Sequence, residues 1–320
     1  MNHTTTEGSP ASMLECMMLI RAYEEKAAAL QAAGSMAGTC TAVGQEASAV
    51  GVVRALRASD RILTNHRSAG HLLARGADAG RMMAEVMGRS TGYCKGKSGS
   101  LHISAKELGV VLTSTIVGGE LSLATGVALS TKMLRQDGIV ACFFGDGAAC
   151  EGIFHESLNL ASVWDLPILY VCENNQWQAF VHRKETMNID HVSEWAKGYG
   201  MATRTVDGND VEAVHAAAVE AVAHIRKTGK PYLLETYTYR LRGHFEPDDQ
   251  SYVDARELAE WRAKDPVVMT RERLLKNGTL KADDIALMEE RIAAEVERAA
   301  AFAAASPFPV PSELTTDVYA

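Results

Sequence analysis

Two polar clusters in this chain carry the residue types that hold a hard divalent cation together with an anionic ligand. Twenty-six residues separate Gly145-Asp146-Gly147 from Asn174-Asn175, and each cluster follows a short, continuously apolar run. The first run is Ile139-Val140-Ala141-Cys142-Phe143-Phe144; the second is Pro167-Ile168-Leu169-Tyr170-Val171-Cys172. Bounded by turn residues, such runs predict strands buried on both faces of a parallel sheet. Ligands of open parallel sheets bind beyond the carboxyl ends of the strands, so Asp146 and Asn175 are expected to project into one crevice. A carboxylate and an amide oxygen suit Mg2+, which prefers octahedral oxygen ligation and takes phosphate oxygens and water in its remaining positions. The glycines allow a sharp turn and close approach of the backbone to a phosphate. Either motif alone reads more simply as a tight turn or a polar strand exit, whereas the pair at neighbouring strand ends favours a cation–diphosphate site.

The elements that must hold these groups follow from periodicity. Helical spacing predicts helices over residues 12–33, ending before Gly34, over 45–56 and over 78–87. The intervening segment 63–71 (Leu63-Thr64-Asn65-His66-Arg67-Ser68-Ala69-Gly70-His71) is read as too polar for a core strand. Residues 120–134 form a small-residue helix suited to close packing. Residues 151–163 supply the crossover that two parallel strands require. A further strand–helix–strand unit is expected over 202–206, 211–227 (capped by Asn209 or Asp210) and 232–239, followed from Arg242 by a charged loop and then helices such as 283–303. The expected fold class is α/β, a mostly parallel sheet flanked by helices, with a helical C-terminal extension. The expected divisions are 1–40 (leader and first helix), 41–245 (the α/β domain) and 246–320 (loop and helices for subunit contacts).

Composition removes several function classes. With 47% apolar and 22% charged residues, the 320-residue chain has the make-up of a globular protein with a large core. Its net charge of −8 and lack of a long Lys/Arg run argue against a nucleic-acid surface, so an anionic ligand must rely on local basic groups. The first ten residues lack an apolar signal core, and no apolar run reaches the roughly 18 to 20 residues that span a bilayer. A cytoplasmic protein without membrane contact is expected. Six cysteines occur with no C-x-x-C pair, which gives neither a zinc site nor a disulfide framework; Cys142 and Cys172 are expected as buried thiols.

The G-D-G to N-N spacing resembles the anchoring motif of thiamine-diphosphate enzymes. Within them, the chain looks like the alpha subunits of the decarboxylating first component of 2-oxoacid dehydrogenase complexes, a family that includes acetoin dehydrogenase. Further landmarks lie in order over about residues 45–265: Gly44-Gln45-Glu46-Ala47, His66-Arg67, Lys97-Ser98-Gly99-Ser100-Leu101-His102, Ile116-Val117-Gly118, Glu173-Asn174-Asn175 and Arg240-Leu241-Arg242-Gly243-His244. The resemblance implies thiamine diphosphate and Mg2+ as cofactors, with Asp146, the Asn175 side chain and the Trp177 carbonyl as metal ligands. It places Gly147 and Ala148 amides, with Arg67 and His244, on the diphosphate, His66 where relatives often have Tyr, and the backbone near Thr115 and Val117 against the aminopyrimidine. It further implies that the activating glutamate lies on a pyrimidine-binding beta subunit, and that acyl units pass to a lipoyl transacylase partner.

His102 is read either as a loop-ordering residue or in proton transfer, and His244 in acid–base work or phosphate contact. His3, His191, His215 and His224 read as polar-face or loop residues. Glu151 and Glu156 are expected to cap or form salt bridges, and Glu46 to face a helix dipole. For the substrate, acetoin ranks first on Gly243-His244-Phe245-Glu246, with pyruvate or a branched-chain 2-oxoacid behind; Ala69 and residues 178–182 depart from the family pattern. A split transketolase and a non-catalytic paralogue that keeps the Mg–diphosphate site are the competing readings. A nicotinamide enzyme is disfavoured, since no G-x-G-x-x-G follows an early strand.

Overall fold

A six-stranded, all-parallel sheet organises the molecule in the order β2-β1-β3-β4-β8-β7. The computed structural model describes residues 8–318, so His3 lies outside the described residues. In chain order the helices are α1 (Pro10–Ala32), α2 (Glu46–Val53), α3 (Ala69–Ala74), α4 (Ala79–Val86), α5 (Gly119–Met133), α6 (Asp146–Ala149), α7 (Gly152–Val163), α8 (Ser193–Lys197), α9 (Val211–Thr228), α10 (Ala255–Arg262), α11 (Pro266–Lys276) and α12 (Ala282–Ala305). The strands are β1 (Arg61–Asn65), β2 (Val110–Ser114), β3 (Val140–Gly145), β4 (Ile168–Asn174), a β5–β6 hairpin (Trp177–Gln178 and Val181–His182), β7 (Ala202–Asp207) and β8 (Tyr232–Tyr237).

The continuously apolar runs are explained by the two-residue period of a strand with both faces covered. Val140, Cys142, Phe144, Ile168, Tyr170 and Cys172 enter the core shared with α5, α7 and α8. Their alternates Ala141, Phe143, Leu169 and Val171 enter the larger core built with α1–α4, α9 and α12. Both thiols, Cys142 and Cys172, are fully buried as their strand positions require. The expected helices form with ends shifted by up to three residues, the helix expected over 45–56 stopping at Val53, and Asp210, rather than Asn209, caps α9 by accepting from the amides of Glu212 and Ala213.

One expectation is corrected. Residues 61–65, within and before the segment read as too polar, form β1, one of the inner strands. Its polarity is satisfied internally: Thr64 Oγ1 lies 2.8 Å from His71 Nδ1, and Asn65 Oδ1 accepts from the Arg67 amide at 2.8 Å. Buried polar groups cost little once paired, so alternation alone misjudged this strand. With β1 in place, the direction of winding reverses between β1 and β3, which is the switch point where sheets of this kind bind ligands.

Candidate functional site

A cleft of about 340 Å³ opens at that switch point. Asn65, His66 and Arg67 reach it from the end of β1, Ser114, Thr115 and Val117 from the end of β2, and Gly145, Gly147 and Ala148 from the end of β3. Asn175, Trp177 and His244 complete its wall, so nearly every residue singled out in the sequence converges here. Asp146 lies fully buried beneath the wall. His102 stands apart, exposed on the segment before β2 and outside the cleft lining.

Asp146 Oδ1 accepts from the Asn175 amide at 3.3 Å, which ties the ends of β3 and β4 together. Its other oxygen, Oδ2, is buried with no hydrogen-bond partner among the described residues. Burial, acting first, pushes the carboxyl up to about 6 despite the amide bonds that favour its charge. The Asn175 amide is oriented because Nδ2 donates to Gln45 Oε1 at 3.0 Å, and Oδ1, already accepting from the Trp177 amide at 3.1 Å, keeps a lone pair. Gln176 between them has φ 72°, the left-handed conformation that makes this turn.

These donors fit magnesium. An orphaned buried carboxylate oxygen is what a hard cation would satisfy, and a fixed amide oxygen sits beside it. Among the described residues no group of three or more His, Cys, Asp and Glu converges on a metal site. One carboxylate with an amide and a main-chain oxygen would not form such a group, so the ligand chemistry points to a hard, phosphate-accompanied ion rather than zinc. A Cβ at Gly147 would meet Gln178 Cγ at 3.3 Å, a tight approach that glycine avoids beside the cleft.

The basic side is built around the buried Arg67. Its Nη1 donates to the Thr41 carbonyl at 2.6 Å, and its Nη2 reaches His244 Nδ1 and the His244 carbonyl, both at 2.9 Å. A guanidinium can only donate, so His244 Nδ1 accepts and the neutral ring carries its proton on Nε2. Burial first, then Arg67 and Arg240, lowers His244 to about 4; burial first, then Arg67, lowers His66 to about 3. Both imidazoles are therefore neutral near pH 7. The His244 main chain is pinned as well: its amide donates to Asp248 Oδ2 at 2.5 Å, Tyr252 donates to the same oxygen at 2.7 Å, and a Cβ on Gly243 would collide with Asp248.

Sequence reasoning missed the groups behind the wall. Glu173 lines the cleft and accepts from Ser48 Oγ at 3.0 Å and His71 Nε2 at 3.1 Å, while His71 Nδ1 faces Thr64. Gln45, assigned only to a helix start, orients Asn175. The Glu173-Asn174-Asn175 run was itself the available signal, since an acid inside an apolar strand needs buried donors. Glu46 takes its structural role, accepting from the Gly44 amide at 2.9 Å and from Arg21 Nε at 2.6 Å. Glu151 and Glu156 are corrected: neither forms an ion pair among the described residues, and Glu151, at the N-cap of α7, makes no capping bond. Both carboxylates are exposed, where hydration already satisfies them. The departing residues 178–182 form the hairpin whose tip, Phe180, packs edge-on against His244 with ring centroids 5.3 Å apart.

Residues 15–312 match the family model described as dehydrogenase E1 component. The alpha subunit of acetoin:2,6-dichlorophenolindophenol oxidoreductase from Bacillus subtilis is 42% identical over 316 residues, covering 98% of this chain and 94% of the relative. The corresponding subunit from Cupriavidus necator is 38% identical, covering 95% and 92%. The pyruvate dehydrogenase E1 component subunit alpha from Rhizobium meliloti is 38% identical, covering 94% and 87%. With a family model spanning most of its length and relatives aligned nearly end to end, the chain belongs to the dehydrogenase E1 component family.

Proposed function

We propose that this chain is the alpha subunit of a thiamine-diphosphate-dependent oxidoreductase that cleaves acetoin or a 2-oxoacid and delivers the acyl unit to a lipoyl transacylase. The observation that carries the reading is the unpartnered Asp146 Oδ2 beside an oriented Asn175 amide, in one cleft with Arg67 and His244. Thiamine diphosphate, when bound, supplies the carbanion-stabilising chemistry. This chain's residues bind and orient it. Asp146, Asn175 and the Trp177 carbonyl hold Mg2+; Arg67 and the Nε2–H of His244 donate to the diphosphate, with the Gly147 and Ala148 amides beside them. His66 closes the wall, and the backbone at Thr115 and Val117 meets the aminopyrimidine. His102 serves the substrate side, in loop ordering or proton transfer.

The active protein pairs this subunit with a beta subunit that brings the pyrimidine-binding half. Ile116, Val117 and Leu123 are exposed around the start of α5, and Met133, Leu134, Val163 and Trp164 around its end and the end of α7. Large apolar groups clustered along two neighbouring helices mark a surface that another subunit covers. Acetoin is favoured as substrate, with pyruvate and branched-chain 2-oxoacids next, in a cytoplasmic enzyme. Among the described residues no helix is long and apolar enough to cross a membrane.

The test is co-expression with the neighbouring beta-type reading frame, followed by a screen of acetoin, pyruvate and branched-chain 2-oxoacids with 2,6-dichlorophenolindophenol as acceptor. Turnover that requires both chains, Mg2+ and thiamine diphosphate supports the reading. Full turnover by the single chain removes the beta subunit from it.

A further inference from the structure

Three carboxylates line the cleft: Glu120, Glu151 and Glu173. Glu151 is exposed to water and Glu173 is hydrogen-bonded to Ser48 and His71. Glu120 is enclosed, with its own main-chain amide as a donor to the carboxyl. It is 1% exposed, and its Oε2 is buried without a hydrogen bond among the described residues. The group is held in place rather than adrift. It occupies the first turn of α5, directly after the turn through Gly118 (φ 76°), and its carbonyl accepts from the Cys142 thiol of β3 at 3.6 Å.

A buried polar atom left unpaired is costly, more so when charged, so a ligand donor is the simplest explanation for a fixed carboxyl in a cleft wall. Its sign excludes the diphosphate, which a carboxylate repels, and assigns Glu120 to whatever part of the ligand carries N–H groups. The placement agrees, because Ser114, Thr115 and Val117 of the preceding turn line the same stretch of wall. A donor from another subunit is the alternative, and burial argues against it. Ile116 and Val117, the neighbours open to a partner, are 68% and 53% exposed, whereas Glu120 is already enclosed within this chain.

We propose that Glu120 recognises the amino-bearing heteroaromatic ring of the cofactor, with Oε2 accepting a hydrogen bond from the exocyclic amine. This rests on the thiamine-diphosphate reading above and deepens it, since it assigns a side chain of this subunit to the ring that this subunit otherwise meets only through the backbone at Thr115 and Val117. Burial, which raises the Glu120 carboxyl to about 7, fits a group that gains from a donor.

The experiment compares binding of thiamine diphosphate with that of its analogue carrying hydrogen in place of the amine. It uses calorimetry on the co-purified alpha–beta assembly in Mg2+ with the wild type, Glu120→Gln, Glu120→Ala and Asp146→Ala. The wild type should prefer the amine by about tenfold or more, and Glu120→Ala should lose most of that preference, as expected when a charged hydrogen-bond partner is removed. Glu120→Gln, which keeps an acceptor oxygen, should retain part of it, and without cofactor it should unfold at a higher temperature than the wild type because a buried unpaired charge is gone. Unchanged discrimination in Glu120→Ala overturns the proposal. So does weakened alpha–beta association with discrimination intact, which would assign the carboxylate to the partner subunit. Asp146→Ala should lose both ligands alike; if it binds them normally, the cofactor reading itself fails, separately from the assignment of Glu120.

Discussion

The two ends of the cleft are built to different standards of completeness. At the Asp146 end, second residues orient the groups around the one open carboxylate oxygen of Asp146: Gln45 orients Asn175, Arg67 and Asp248 orient His244, and the Asn175 main-chain amide holds Asp146 Oδ1. At the other end Thr115, Ile116 and Val117 are exposed, and Glu120 Oε2 waits unpaired behind them. On the proposed reading, the contrast means that this chain would pre-organise anion and metal binding by itself, while the ring end would be finished by what binds there.

The largest test of that contrast is Asp146→Ala. Removal of the only carboxylate expected on the metal should weaken Mg2+-dependent thiamine-diphosphate binding by at least about 100-fold, read by calorimetry. Unchanged affinity would mean that the well-organised end is not the metal end. Next is Arg67→Lys, which keeps the charge but loses the fork that spans Thr41 and His244; a loss of about tenfold or more in cofactor affinity is expected. His244→Ala should cost about tenfold in cofactor retention on gel filtration. A variant that holds the cofactor as the wild type does would take His244 out of the anion end.

Acid sensitivity sharpens the comparison from another side. His66 and His244 are lowered in the folded chain, so the unfolded chain binds protons first and stability falls as pH drops. The loss begins near 6.5, the ordinary histidine value, and continues to about 4 for His244 and about 3 for His66. A His66→Gln, His244→Gln double variant, followed by urea unfolding between pH 7 and pH 4, should show a shallower decline than the wild type. An identical decline would show that neither ring is held neutral. The smallest effect on the fold is expected from Leu123→Asp with Val163→Asp at the open end. These exposed positions should change the stability of the single chain by no more than about 0.5 kcal/mol each. Pull-down by the beta subunit should nevertheless be lost; retained capture would place the interface elsewhere.

Much of this arrangement is legible in the sequence for a definite reason. Strands β3 and β4 are covered on both faces, so their apolar runs are continuous, and the polar motif must begin where each strand ends. Asp146 and Asn175 could thus be placed in one crevice, and the family resemblance added Arg67 and His244 to it. Strand β1 was not legible, because its polarity is matched by partners that apolar alternation does not show: Thr64 faces His71, seven residues on, and Asn65 accepts from the Arg67 amide, two residues on. The same holds for Gln45, Glu120 and Glu173, whose roles depend on contacts across the sheet rather than on their neighbours in the chain. His102 was singled out from its motif, yet the structure leaves it exposed and outside the cleft.

With Cys142 and Cys172 buried on the adjacent strands β3 and β4, Cys150 is the exposed cysteine among the described residues. It caps α6, only four positions from Asp146, and the Gln178 side-chain amide donates to its sulfur at 3.4 Å. A thiol-reactive dye attached there would report from the rim of the metal end, turning ligand occupancy into an optical signal without touching the buried thiols of the sheet.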